Sequence, residues 1–186
     1  DIARRWEAVS LQHSVKAEAF QAGEDGVMVA VFPTRAQARA LAVEGGEKPA
    51  DLHLTLAYLG KADDLTPEQT RRLYEVVSAF AVLAGPLKAR INGRAEFNPK
   101  EKAPPVVALV DSPSLPDWRA RLVEALERAG LPVSHEHGFI PHITLRYGGG
   151  FESAPDVPEM EFEFGSVVVA ASGKRAPPSM LSTTVE

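Results

Sequence analysis

The sequence predicts an α+β fold of two pseudo-symmetric lobes, each an antiparallel sheet backed by helices, with a central cleft between them. Three observations predict it. The run His53-Leu54-Thr55-Leu56 returns as His142-Ile143-Thr144-Leu145. Each copy lies where apolar, β-branched and aromatic residues alternate with polar ones at period two, the pattern of a strand with one buried face. Each half also runs strand, helix, motif strand: 27–32 before His53, and 106–110 before His142. Finally, 45% hydrophobic against 24% charged residues over 186 positions supplies one substantial core, so the halves read as one bilobal domain over 23–186.

Taken in order, residues 2 to about 20 place Ile2, Trp6, Val9 and His13 on one helix face, an N-terminal extension over 1–22. Gly23 to Gly26 make a turn before the apolar strand 27–32. Thr34 caps a helix running to about Glu44, stopped by Gly45-Gly46, and the first motif strand follows at about 51–59. Thr66-Pro67-Glu68-Gln69 is a helix start with a hydroxyl cap, proline at the first helical position and glutamine three after the cap. Its buried stripe is Leu73, Val76, Val77, Phe80 and Leu83. Residues 87–97 alternate and lose register near Gly93, a strand with a bulge or bend. The loop holding Lys100 and Lys102 leads to the buried strand 106–110. A second long helix opens at Ser114 with the stripe Leu115, Trp118, Leu122, Leu126 and Ala129. The second motif strand covers about 139–147. After a glycine-rich exit come one or two strands over 160–169, a loop at 174–178 and a last strand near 181–185.

Successive strand side chains point to opposite faces. His53 and Thr55 therefore share one face, with Leu52, Leu54, Leu56 and Tyr58 on the other; His142, Thr144 and Arg146 share one face, with Ile143, Leu145 and Tyr147 opposite. Two imidazoles and two hydroxyls in one cleft suit a phosphodiester. A neutral histidine can take a proton from the attacking group and a protonated one can give a proton to the leaving oxygen, since the unperturbed pKa of about 6.5 lies near neutrality. The hydroxyls of Thr55 and Thr144 can donate to non-bridging phosphate oxygens. By parity Arg146 reaches the same cleft, where a guanidinium can clamp a phosphate or close an ion pair at its edge. Trp118 reads as core. His135, Glu136 and His137 with His142 admit a zinc reading, against the simpler one of a polar loop at the cleft entrance.

The paired motifs, in the contexts PADLHLTLAYLG and GFIPHITLRYG, resemble the signature of the two-histidine (2H) phosphoesterase superfamily, which includes 2'-5' RNA ligase-like proteins and cyclic phosphodiesterases. The likeness runs from about Val27 to the C-terminus and is greatest to phage-associated and actinobacterial members. It implies a metal-independent enzyme without a cofactor, acting on a 2',3'-cyclic phosphate, a 2'-5' linkage or a related nucleotide phosphodiester. It also implies His53 and His142 as the acid–base pair and Thr55 and Thr144 as phosphate binders. Relatives often carry a basic residue just after the second motif, where Tyr147 stands here beside Arg146. Cleavage of cyclic oligonucleotide signals is an alternative, as is a nucleotide- or RNA-binding module within a larger phage protein.

Composition narrows the partners. A net charge of -5 argues against tight binding of long duplex nucleic acid, leaving a nucleotide or RNA terminus. The lack of cysteine excludes disulfides, thiolate metal sites and a cysteine nucleophile, in keeping with a cytoplasmic setting, that of the host if the chain is phage-encoded. No apolar stretch of about 18 residues suggests a membrane span.

Overall fold

The strands join edge to edge in one antiparallel sheet, in a computed structural model that describes residues 25–136, 138–153 and 156–182. The expected N-terminal helix with His13, residue His137 and the end of the last expected strand lie outside the described residues. Nine strands are seen among them: β1 (Gly26–Val31), β2 (Leu54–Lys61), β3 (Leu87–Glu96), β4 (Pro105–Asp111), β5 (His142–Tyr147), β6 (Met160–Phe164), β7 (Ser166–Ala171), β8 (Lys174–Arg175) and β9 (Ser179–Met180). Three helices accompany them, α1 (Arg35–Leu41), α2 (Pro67–Ala84) and α3 (Leu115–Arg128).

Strand order is β6-β3-β4-β5-β2-β1-β7-β8, with β9 paired to β7. One half is β6-β3-β4-β5, the other β2-β1-β7-β8, and the motif strands β5 and β2 meet in the middle. Their junction is slight: a single pair, Leu54 opposite Ile143, joins the halves. Short pairing at the seam leaves strand-edge groups on both sides to be satisfied by other parts of the chain.

Thr34 and Thr66 each accept from the backbone three residues on, while Gln37 and Gln69 reach back to the cap amide, so both helix starts are capping boxes as the sequence predicts. Leu73, Val77, Phe80 and Ala81 form the buried stripe of α2. Leu83, expected in it, is 82% exposed, because it falls at the stripe's edge in the last turn, where Gly85 at φ 69° ends the helix. Trp118 of α3 is buried as expected, edge-on to Phe80 at 4.8 Å, with its indole N–H donating to the Gly85 carbonyl. Truncating such an anchor costs about 3–5 kcal/mol. The break near Gly93 is a register shift between Ile91 and Gly93, as expected. Residues 174–175 form a short strand on β7 instead of a loop.

The helices cover one face of the sheet and close the main core, which holds Val29, Leu54, Leu56, Ile143 and Leu145. The other face carries two smaller apolar clusters, one per half. Met28, Ala30 and Ala170 pack with Phe32 and Tyr58; Phe97, Val107 and Leu109 pack with Ala95 and Ile140. The motif histidines lie between these two clusters. Among the described residues no helix is long and apolar enough to cross a membrane.

Candidate functional site

The pairing of Leu54 with Ile143 sets the site's geometry. Read outward from that one pair, the antiparallel register sets His53 toward Thr144 and Thr55 toward His142 on the helix-free face, and Thr55 and His142 line one hollow. Diagonal neighbours in such a register are roughly 7–8 Å apart at the backbone, so two imidazoles can flank one phosphate. His53 is buried and lies against the Phe32 ring, with centroids 5.6 Å apart; His142 meets Phe97 edge-on at 4.8 Å.

Each imidazole is held the same way. Nδ1 of His53 is 2.6 Å from the Asp51 carbonyl oxygen, and Nδ1 of His142 is 2.6 Å from that of Ile140. A carbonyl can only accept, so Nδ1 carries the proton and donates it. Nε2 is thereby left as the proton-exchanging atom on both rings.

Burial lowers the pKa of both histidines. For His53 it outweighs the Asp51 carbonyl bond, which favours the charged ring, while Arg175 lowers the pKa further and the Asp51 carboxylate raises it. His142, whose imidazole sits deep although the residue as a whole is only partly buried, is lowered to about 4 by burial first. The Ile140 carbonyl opposes that shift and the nearby His53 adds to it. Both rings are therefore neutral at pH 7, and an arriving anion favours protonation of one of them.

Among the described residues the Thr55 hydroxyl donates only to Met28 Sδ at 3.5 Å, a weak acceptor. Thr144 makes no side-chain hydrogen bond among the described residues. Both hydroxyls can thus turn to a ligand.

Beyond the threonines the period-two reading fails, in the same way on both strands. On β2, Thr55 opposes Ala30 but Ala57 opposes Val29, so Leu56 is an extra, bulged residue. On β5, Thr144 opposes Val107 but Arg146 opposes Val106, and Leu145 is the extra one. A bulge reverses face parity for all that follows. Arg146, expected in the cleft as a phosphate clamp, is corrected by this: it shares the rung of Val106 and Glu96 on the helix-bearing face. There it donates to the Gly150 carbonyl and to Ser153 Oγ. The two tyrosines are corrected in the opposite sense. Tyr58 packs with Met28 and Ala30 on the cleft face, and Tyr147 pairs with Pro105 on the same face as Val107.

Two cations missed by the sequence reading complete the surroundings. Arg175, on β8, lies over the Phe32 ring at 3.7 Å, is 3.7 Å from the Asp51 carboxylate and donates to the Ala50 carbonyl. Arg119, on α3, lies over the Phe139 ring at 4.1 Å and donates from Nε to the Leu56 carbonyl at 2.8 Å. A two-residue strand and the flank of a helix carry no periodic signal to reveal either. His135 pairs with Glu127, away from His142. Among the described residues no three His, Cys, Asp or Glu side chains converge as metal ligands. Lys100 and Lys102 are exposed.

A family model described as the 2'-5' RNA ligase superfamily matches residues 29–165, a span that includes both motifs. No curated protein sequence matches. Among solved structures, TT0787 of Thermus thermophilus is 25% identical, with a TM-score of 0.57 covering 77% of this chain and 86% of that one. LigT of E.coli complexed with 3'-AMP is 17% identical, with a TM-score of 0.60 covering 83% of this chain and 94% of LigT. Usb1 of Kluyveromyces marxianus is 12% identical, with a TM-score of 0.53 covering 87% of this chain and all of Usb1, and with LigT shares the fold.

Proposed function

The chain belongs to the 2'-5' RNA ligase superfamily, and from that premise we propose that it is a metal-independent phosphoesterase of nucleotide or RNA-end phosphodiesters, acting on a 2',3'-cyclic phosphate or a 2'-5' linkage. What supports this is the matched pair of 2.6 Å Nδ1–carbonyl bonds, which leave Nε2 of each histidine as its proton-exchanging atom on two motif strands that meet at Leu54 and Ile143. A nucleotide ligand is supported by LigT, whose structures include complexes with 3'-AMP, NADP+, ATP and phosphate.

In the proposed reaction the anionic phosphodiester settles between the histidines and raises their depressed pKa values, so one ring becomes protonated. The neutral ring takes a proton from water at Nε2 as the water oxygen bonds to phosphorus. The protonated ring gives its Nε2 proton to the ribose oxygen as the bond from that oxygen to phosphorus breaks. One proton enters the pair and one leaves, so the pair ends with the same charge and exchanged roles. Thr55 and Thr144 donate to the equatorial oxygens where negative charge accumulates. These two proton transfers require no metal.

A panel of 2',3'-cyclic mononucleotides, a 2'-5'-linked dinucleotide and cyclic oligonucleotides, run with and without chelator, tests the reading. His53→Ala and His142→Ala should each remove about 10²–10⁴-fold of the turnover, and the chelator should change nothing. Tight binding of a nucleotide phosphate, together with equal background turnover in wild type and both variants, would leave a binding module instead.

A further inference from the structure

The two bulged leucines show where the halves differ. Past the single pair of Leu54 with Ile143, the edges of β2 and β5 face each other without a ladder. The carbonyl two residues beyond the pair needs a donor on each strand. On β5 the donor to Leu145 is a backbone amide, Glu47 N–H at 2.7 Å, and Gly46 is needed there because a Cβ would collide with the same oxygen. On β2 the donor to Leu56 is the Arg119 guanidinium. A neutral amide serves at the symmetric position, so satisfying this carbonyl does not call for a charge.

Arg119 is also set apart by where its charge lies. It is partly buried, its pKa is lowered by burial alone, and among the described residues it has no carboxylate partner. Arg35, Arg39 and Arg121 also lack an ion pair among the described residues, but they are exposed, and Arg146 is turned to the other face; Arg119 is the partly buried one beside the motifs. The bond to Leu56 uses Nε, and the ring of Phe139 takes one guanidinium face. Among the described residues neither terminal nitrogen has a hydrogen-bond partner, so both remain as donors. The hollow that Arg119 lines is also bounded by Thr55, Tyr58, Ser134, Phe139 and His142, two of them motif residues.

We propose that Arg119 is a substrate-binding residue whose terminal nitrogens hold a phosphate oxygen of the substrate beside Thr55 and His142. The inference rests on the function proposed above and names a cation of its site. It assigns to α3 the part expected of Arg146, whose guanidinium is turned to the other face. The guanidinium is held by the Leu56 carbonyl and Phe139, so little side-chain freedom is lost on binding, and a partly buried charged hydrogen bond is worth more than an exposed one.

The test is titration with inorganic phosphate and with 3'-AMP by calorimetry, beside KM and kcat on the best substrate of the panel. Arg119→Gln should weaken both ligands and raise KM by about tenfold or more, with thermal stability monitored separately. Arg119→Lys should recover part of the binding, and Arg90→Gln, with the same change of charge, none of the loss. A folded Arg119→Gln protein that binds phosphate like wild type, its defect confined to Tm, overturns the inference. If Arg119→Gln does not fold, Arg119→Lys decides: wild-type affinity for phosphate counts against it, and at least about threefold weaker binding supports it, since lysine cannot hold the carbonyl and the anion together. Turnover that is lost in the histidine variants but unchanged with Arg119→Gln sinks this assignment and leaves the function standing. Turnover indifferent to the histidines sinks the function, and the phosphate titration still judges Arg119.

Discussion

The two motif strands are near copies in hydrogen bonding and unlike in charge. Each histidine donates a hydrogen bond from Nδ1–H to the carbonyl two residues earlier, each lies against a phenylalanine, and each is followed by a threonine and a bulged leucine. Around His53, however, stand the Asp51 carboxylate and Arg175, whereas the titratable neighbour acting on His142 is His53 itself. The shared features fix ring orientation, which acid and base need equally. The unshared ones act on proton affinity, where an acid and a base must differ. A duplicated scaffold can thus supply two equivalent holders, while specialisation comes from residues outside the repeat.

The most severe break of this comparison is removal of either ring. If the holders are equivalent, His53→Ala and His142→Ala should each cost about 10²–10⁴-fold in kcat/KM, and the double variant little more than the worse single one, because the rings act as a unit. A variant that keeps wild-type kcat/KM shows that its half contributes only structure. The hydroxyls should matter less: Thr55→Val and Thr144→Val remove one donor each, with an expected loss of about 10-fold to 10²-fold, mostly in kcat. A loss confined to KM would mean that they bind the ground state as strongly as the transition state.

What can be read from sequence ends at the threonines, and the reason is local. As far as Thr55 and Thr144, alternation reports the face correctly, because the strand has period two and its apolar members fill the main core. One residue on, the face depends on which residue of the neighbouring strand lies opposite, Val29 or Ala30 on one side and Val106 or Val107 on the other. That is a property of the partner strand, and no pattern within HLTLAY or HITLRY encodes it, so alternation puts Arg146 on the wrong face and Tyr58 and Tyr147 in the core. Both copies place a tyrosine three positions after the threonine, and alternation seats each on the apolar face without conflict, so nothing in either copy announces the bulge. Helix starts are legible because Thr34 and Thr66 cap through contacts three residues away. Arg175 reaches His53 through the pairing of β8 with β7, a contact no local reading supplies.

Acid should reveal the buried rings in a second, milder way. Both folded-state pKa values lie below the unfolded value of about 6.5, so the unfolded chain binds protons that the fold refuses. Their contribution to stability is therefore complete above pH 6.5 and declines as pH falls, until His142 itself protonates in the fold at about 4. Urea midpoints at pH 7, 5.5 and 4.5 should fall in wild type, and His142→Gln should lose less of its own pH 7 stability over that window. Parallel curves for the two proteins would show that His142 is not held neutral by the fold.

The smallest expected effect separates the halves most finely. Arg175→Gln removes a cation that disfavours protonation of His53, so the His53 pKa should rise; Asp51→Asn removes an anion that favours it, so the pKa should fall, while the backbone carbonyl that holds Nδ1 stays. Both side chains are more than a third exposed, which keeps each shift under about one unit. In a profile of kcat/KM against pH the two substitutions should move one limb in opposite directions and the other limb much less, since His142 feels these charges only through its coupling to His53. The limb that moves identifies the step in which His53 exchanges its proton: the acidic limb reports the group that must be neutral, and the basic limb the group that must be charged. Equal displacement of both limbs, or shifts of the same sign from the two variants, would mean that the charges act on the site as a whole and that the halves are not electrostatically distinct.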